Sequence, residues 1–289
     1  MIVREAKYDD FEKVYPLLYK LNNKTLSKND WKRIFENNFE TDMGFCGYVI
    51  EDEDEIHGFL GAVFSNRIIA GKEYKFCNLT SWIVEKKYRA KSLILLMKIH
   101  KLKGYVFTNF TPSKTVYPIL KKLGYKDVEN RKFLIKPIPV FSSKIRILTS
   151  GFENLLDDNE LKIYEQHKKF NLGFFIAKSK SDYCFIVYRK KKYFPAKLKK
   201  ITAGKINMQL AEIEYVSNPN FFSNNTKEIM FKASIKKTIA SFTVYEKYLP
   251  ESIVKSSKIY KTHRKYVYKG DLPENKIDIL FSEIVILDL

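Results

Sequence analysis

The sequence contains no apolar run close to the twenty or so residues that a membrane span requires. Its longest, around Leu93 to Met97, is closely flanked by lysines. A transmembrane helix is therefore not expected. Met1 to Lys13 mixes charged and apolar residues from the start, unlike a secretory signal, so the chain is expected to stay in the cytoplasm. Cysteine is scarce: Cys46, Cys77 and Cys184 lie far apart, fit no zinc spacing and suit no disulfide framework. They read as small buried hydrophobes. The four histidines, His57, His100, His167 and His263, are scattered, so no metal site is expected. Arginine is scarce as well. Only eight of the 52 basic residues are arginine, whereas base readers and phosphate forks favour its bidentate geometry. A specific nucleic-acid partner is not expected.

What is present is a hydrophobic content of 45% over 289 residues, enough for two packed domains. The formal net charge is +19, and lysine supplies most of it. Such a balance suits polyanionic partners or cofactors, and it also suits solvated surfaces of a lysine-rich composition. Its distribution is uneven. Residues 1–55 carry 13 acidic and 8 basic side chains, whereas residues 56–140 carry 17 basic and 4 acidic.

Hydrophobic periodicity predicts a strand at Ile2–Ala6, a helix capped by Asp9 or Asp10, and a second helix over about Lys28–Phe39 capped by Asn29 or Asp30. A hairpin then turns through the acidic run Glu51–Glu55, followed by a long strand, Tyr74–Val84. The basic loop Lys86–Lys91 leads into a helix at Ser92–Lys101. A strand (Tyr105–Asn109), a helix ending on Gly124 and a strand (Arg131–Ile135) complete the first half. Pro137 and Pro139 break the pattern. The second half repeats this order loosely and ends in an apolar, β-like tail, Ile277–Leu287. The expectation is an α/β fold with mixed, twisted central sheets flanked by helices, in two pseudo-equivalent domains at residues 1–140 and 152–289.

The segment NLTSWIVEKKYRAKSLILL, Asn78 to Leu96, has the order strand, cationic loop, helix. Such a junction aims free backbone N–H groups and a helix dipole at one point, a ready anion site. Lys86, Lys87, Arg89 and Lys91 add charge there. The segment resembles the central signature of the GNAT acyltransferase superfamily, V-x-P-x-x-R-G-x-G-x-G, and the likeness continues through Asn109 and LKKLGY (Leu120–Tyr125). It departs at Ser92 and Ile94, which stand where the family has glycines.

The resemblance implies acetyl-CoA or another acyl-CoA as co-substrate, held by Ile83, Val84, Lys86, Lys87, Arg89, Ala90, Lys91, Ser92 and Leu93, with Asn109 and Ser113 nearby. It also implies direct attack by an amine or hydroxyl on the thioester in a ternary complex. The family's thiolate-protonating tyrosine corresponds to Leu120; Tyr117, one turn earlier, could take that role or be an ordinary packed aromatic. No carboxylate lies within Lys75–Val84. Alternation puts Asn78, Thr80 and Trp82 on one face, so Asn78 and Thr80 are expected to face the acceptor. His57, or a residue of the second half, is left as the proton acceptor.

In the second half the corresponding loop, Ser217-Asn218-Pro219-Asn220, has no cation, so cofactor binding is expected only in the first. The basic stretch Arg189–Lys205, with Tyr193 and Phe194, suits an anionic chain or a solvated loop. The arrangement is similar to tandem GNAT-like proteins of bacterial surface-polysaccharide gene clusters, on NLTSW, YR-x-x-SL, Asn218-Pro219 and Ser282-Glu283. That likeness implies a sugar acceptor. Acyl transfer to a small metabolite or a protein, or a non-catalytic scaffold for an anionic polymer, are the alternatives.

Overall fold

A computed structural model describes residues 1–193, 208–260 and 264–289. Residues 194–205 of the basic stretch, including Phe194, and His263 lie outside the described residues. The chain forms two compact units, residues 1–129 with 264–289, and residues 130–263.

The first unit begins with β1 (Ile2–Glu5), α1 (Phe11–Tyr19), α2 (Lys28–Lys32), β2 (Gly47–Asp52), β3 (Glu55–Ile69) and β4 (Lys72–Val84). Next come α3 (Ser92–His100), β5 (Tyr105–Asn109), α4 (Val116–Lys122) and β6 (Lys126–Asp127). β7 (Lys132–Ile135) starts the second unit, with β8 (Arg146–Leu148), α5 (Asp158–His167), β9 (Leu172–Lys178) and β10 (Tyr183–Tyr193). It continues through β11 (Met208–Val216), α6 (Pro219–Lys237), β12 (Ile239–Tyr245), α7 (Glu251–Ser256) and β13 (Lys258–Tyr260). β14 (Val267–Lys269) and α8 (Glu283–Ile286) then return to the first unit.

The two seven-stranded sheets have the same plan. Their orders are β1-β2-β3-β4-β5-β14-β6 and β8-β9-β10-β11-β12-β7-β13. Every adjacent pair is antiparallel except β4–β5 and β11–β12, which are parallel. Both parallel pairs are joined through a helix, α3 or α6, as a parallel connection requires. The mixed α/β architecture in two equivalent units is thus the one expected from the order of elements.

The units are discontinuous where the sequence reading drew contiguous boundaries. The sixth strand of each sheet comes from the other side of the chain. β7 was expected in the first half, yet Phe133 and Ile135 are buried in the second unit's core. β14 follows the second unit, yet Val267 is fully buried in the first unit's core.

The apolar tail is a further correction, because it is no strand. Asp278 Oδ1 accepts the Leu280 N–H at 3.0 Å, and the Ser282 hydroxyl oxygen accepts the Ile284 N–H at 3.3 Å. These local acceptors draw the backbone into turns. Ile277, Ile279, Leu280, Ile284 and Ile286 are all buried, so no polar alternation marks the path. The tail is fixed to the first unit by Arg67. Its guanidinium pairs with Asp278 and lies between Phe76 and Phe281, at 4.8 and 4.9 Å from the ring centres. Arg33 donates to the Ile286 carbonyl at 3.0 Å, satisfying an end of α8.

The second predicted helix is shorter than expected. Ser27, not Asn29 or Asp30, is its cap, in a reciprocal capping box with Asp30. After Lys32 the chain tightens into a 3-10 turn, Arg33–Phe35. All three cysteines are free and buried, and burial pushes the Cys46 and Cys184 thiols up to about 12.

Candidate functional site

β4 and β5 pair from Lys75↔Tyr105 to Asn78↔Thr108, and the ladder stops there while β4 runs on to Val84. The strands therefore part at Asn78. Beyond this point β4 carries a bulge: Thr80 faces Gly61 and Ile83 faces Phe59, so two residues, Ser81 and Trp82, stand against Leu60. Ser81 takes a left-handed backbone, φ +52°, the conformation of a bulge that re-aims the strand.

The bulge corrects the expected face of Trp82. Asn78 and Thr80 share the face of Phe59, whose ring stacks on Phe35 of the 3-10 turn after α2 with centroids 5.3 Å apart. Trp82 turns to the opposite face, packing against the core cluster that holds Cys77, Leu79 and the α3 residues Leu95, Leu96 and Ile99. Val84 packs there too.

The strand end enters the cationic segment, which is a 3-10 helix, Lys86–Lys91, and not an open loop. Tyr88 anchors it. The ring is buried and stacks on His57 with centroids 4.4 Å apart, and its hydroxyl donates to Asp52 Oδ2 at 2.7 Å. His57 Nδ1 lies 2.9 Å from Glu85 Oε2, and Lys20 Nζ lies 2.6 Å from Glu85 Oε1. Lys20 and His57 hold the Glu85 carboxyl below its usual range. With Tyr88 turned inward, Lys86, Lys87, Arg89, Ala90 and Lys91 are exposed. Four of these are cations, gathered ahead of α3, whose start has no side-chain cap. Helix dipole and cations therefore reinforce each other. Ser92 begins α3, and Leu93, Ile94 and Met97 stay exposed on it.

On the other face of β4 a second constellation forms. Asn78 and Thr80 are buried. Asn78 Nδ2 donates to the Thr108 hydroxyl at 3.0 Å, and Asn78 Oδ1 accepts the Glu283 N–H at 3.2 Å. The Glu283 side chain is fully buried, and its Oε1 accepts the Thr111 hydroxyl at 2.6 Å. Its Oε2 is buried, with no hydrogen-bond partner among the described residues. Burial pushes the Glu283 carboxyl up to about 7, against smaller opposing effects of Thr111, its own backbone, Arg264 and Asn78. The sequence reading did not pick out Glu283. Its signal is a lone acid within Phe281–Ile286, an otherwise apolar stretch after Ser282.

Other expected site residues are not brought together. The Tyr117 hydroxyl donates to Asp127 Oδ1 at 2.7 Å, and Asp127 also pairs with Lys121. Asp127 is on β6, separated from β5 by β14, so this hydroxyl points away from the parting of β4 and β5. Leu120 is fully buried in the core. His57 lies four residues along β3 from Gly61, the partner of Thr80, about 13 Å at the strand rise. It braces the cationic turn and does not meet Asn78 and Thr80. Asn109 is buried and accepts the Thr111 N–H at 3.1 Å. Ser113 accepts the Val116 N–H at 3.2 Å and so serves the start of α4.

The second unit fills the equivalent places differently. Asn218 caps α6 through the Phe221 N–H and donates to the Asp182 carboxylate. A carboxylate therefore stands where an anion would bind. On β11, Ala211 and Ile213 pack in the core with α6, as Cys77 and Leu79 do with α3. The opposite face presents Glu212 and Glu214. Arg189 bonds both, at 2.6 and 2.9 Å, and Lys132 Nζ lies 3.0 Å from Glu214. Burial pushes Glu214 up, but Lys132 and Arg189 outweigh it and hold the group below its usual range.

No protein-family model matches the sequence, and no curated protein matches it. Solved structures do. A GCN5-related N-acetyltransferase from Anabaena variabilis aligns over 93% of this chain and 72% of its own, with a TM-score of 0.57 and 14% identity. An acetyltransferase described as putative, from Pyrococcus horikoshii, aligns over 96% and 92%, with a TM-score of 0.51 and 15% identity. A GCN5-related N-acetyltransferase from Kribbella flavida aligns over 92% and 70%, with a TM-score of 0.57 and 13% identity. With two sheets of one topology and these likenesses over nearly its whole length, the chain has the fold of the GCN5-related N-acetyltransferases in tandem.

Proposed function

We propose that the first unit binds an acyl-CoA thioester, acetyl-CoA being the simplest, and transfers its acyl group to an amine or hydroxyl. The observation that carries this reading is the end of the β4–β5 ladder at Asn78↔Thr108, followed by the Ser81 bulge and the cationic turn. Parted strands leave backbone groups for an extended amide-containing arm, and the cations ahead of α3 suit its phosphates. Ile83 and Val84, past the point where the strands part, and Ser92 and Leu93, at the start of α3, are assigned to this path. Asn78 and Thr80 are assigned to the acceptor side. The sequence likeness to surface-polysaccharide proteins supports a sugar amine or hydroxyl as that acceptor.

Thermal unfolding with and without acetyl-CoA tests the reading. Acetyl-CoA should raise Tm, since a ligand that binds only the folded state stabilises it. Arg89→Glu should shrink that rise. An equal rise in both proteins removes the turn from the site, and no rise in either removes the proposal.

A second reading, a scaffold that binds polyanions without chemistry, draws on the glycine-free 3-10 turn and its exposed cations. Binding of acetyl-CoA without consumption of its thioester, by any amine, hydroxyl or water, would favour it.

A further inference from the structure

The buried carboxylate of Glu283 is the least expected group in the first unit, and every element around it bears on its role. It enters on α8, from the segment that Arg67 and Phe281 lock against β3 and β4. Its backbone is bonded to Asn78, the last β4 residue paired with β5. One oxygen is held by Thr111, an exposed residue just beyond β5. The other oxygen, Oε2, has no partner among the described residues. A buried oxygen left without a hydrogen bond is costly, so a native site that keeps one calls for an explanation.

We infer that Glu283 is the proton acceptor for acyl transfer in the first unit, with Oε2 receiving the proton of the attacking amine or hydroxyl. The inference rests on the proposed acyltransferase reading and deepens it. The acceptor nitrogen or oxygen attacks the thioester carbonyl carbon and a C–N or C–O bond forms. The C–S bond breaks, Glu283 takes the acceptor proton, and the departing thiolate takes a proton from water. Thr111, an exposed residue whose hydroxyl is bonded to Oε1, links the carboxyl to the surface, so the proton can leave after each cycle. Asn78 is a positioning residue, fixing the Glu283 backbone.

The charged surroundings are few. Arg264 acts on the group through space, and Arg67, which holds the same tail, is itself paired with Asp278. Burial therefore dominates, and it places the carboxyl where a base working near neutral pH must be. No carboxylate lies between Glu73 and Glu85 on the strand itself, and Glu283 stands against that strand from a distant part of the chain.

The test uses the full chain and acetyl-CoA, with water as acceptor and free thiol as the readout, alongside acetyl-CoA binding by thermal shift. A base beside the bound thioester activates water, so the wild-type protein should release thiol faster than buffer does. Glu283→Gln keeps the side-chain shape and should still bind acetyl-CoA, while its thiol release falls about 10²-fold or to the buffer rate. Binding with equal release in both proteins, or binding by the wild type with no excess release, overturns the role of Glu283. Absence of binding in the wild type overturns the acyl-CoA reading itself. Thr111→Val guards against a Glu283→Gln protein that does not fold. The Thr111 bond favours the ionised carboxyl, so its loss should move the acid limb of the rate profile to higher pH. An unmoved limb also counts against the assignment.

Discussion

The Tyr117 hydroxyl is bound to Asp127, 2.7 Å away on β6, and this contact separates a residue with a plausible position from one with a plausible role. The helix spacing places Tyr117 one turn from Leu120. The hydroxyl nevertheless turns toward an edge strand and shares its acceptor with Lys121. Tyr117→Phe should therefore leave thioester turnover within about 3-fold of wild type. Stability should fall by no more than about 1 kcal/mol, the scale of one hydrogen bond. A 10²-fold loss of turnover would restore the tyrosine to the reaction.

His57 should separate binding from chemistry. It stacks on Tyr88 and meets Glu85, so His57→Ala loosens the turn that carries Lys86, Lys87, Arg89 and Lys91. The expected outcome is a raised KM for acetyl-CoA, 5-fold or more on the order of one lost packed contact, with kcat within about 3-fold. A large fall in kcat at unchanged KM would make His57 part of the chemistry.

One acetyl-CoA should bind per chain. The first unit has cations ahead of an uncapped helix, whereas the second has Asn218 as cap and Asp182 beside it. Titration calorimetry should give a stoichiometry of one, weakening as salt is raised because exposed charges are screened. Two equivalent sites would contradict the asymmetry.

Glu283 carries a stability cost with a definite sign. Burial pushes its folded-state carboxyl up to about 7, from an ordinary 4.5. Between those values the folded state binds more protons than the unfolded one, so stability falls as pH rises through this window. Glu283→Gln should match wild type near pH 4 and exceed it near pH 8, by up to about 3 kcal/mol. Urea titrations at the two pH values measure this. Equal stabilities at pH 8 would show that the buried carboxyl is not strained.

Glu214 has the opposite sign. Its depressed folded-state value adds stability that is present above 4.5 and is lost as pH falls toward about 2. Lys132→Met removes one of its two cations and should cost about 3 kcal/mol, the scale of breaking a buried pair. A loss below about 1 kcal/mol would mean that Arg189 alone suffices.

The element order and the cation-rich segment ahead of α3 were legible because periodicity and local charge are local properties. The Trp82 face was not, because one left-handed residue, Ser81, shifts the alternation and serine gives no warning of it. Glu283 was hidden by distance: 205 positions separate it from Asn78. The tail misled for a third reason. A segment buried on all sides shows no period, so apolar character alone cannot tell turn from strand.

The exchanged sixth strands also set an order of events during synthesis. The first unit lacks β14 and the whole segment around Glu283 until residues 130–263 have been made. A nascent chain holding only the first 129 residues thus presents β5 with one edge unpaired, an invitation to misassociate. Its counterpart, β7, precedes the rest of the second unit, so that unit can close as its own residues appear. On the proposed mechanism no partly made chain can transfer an acyl group, because the proton acceptor arrives after both sheets have their other strands.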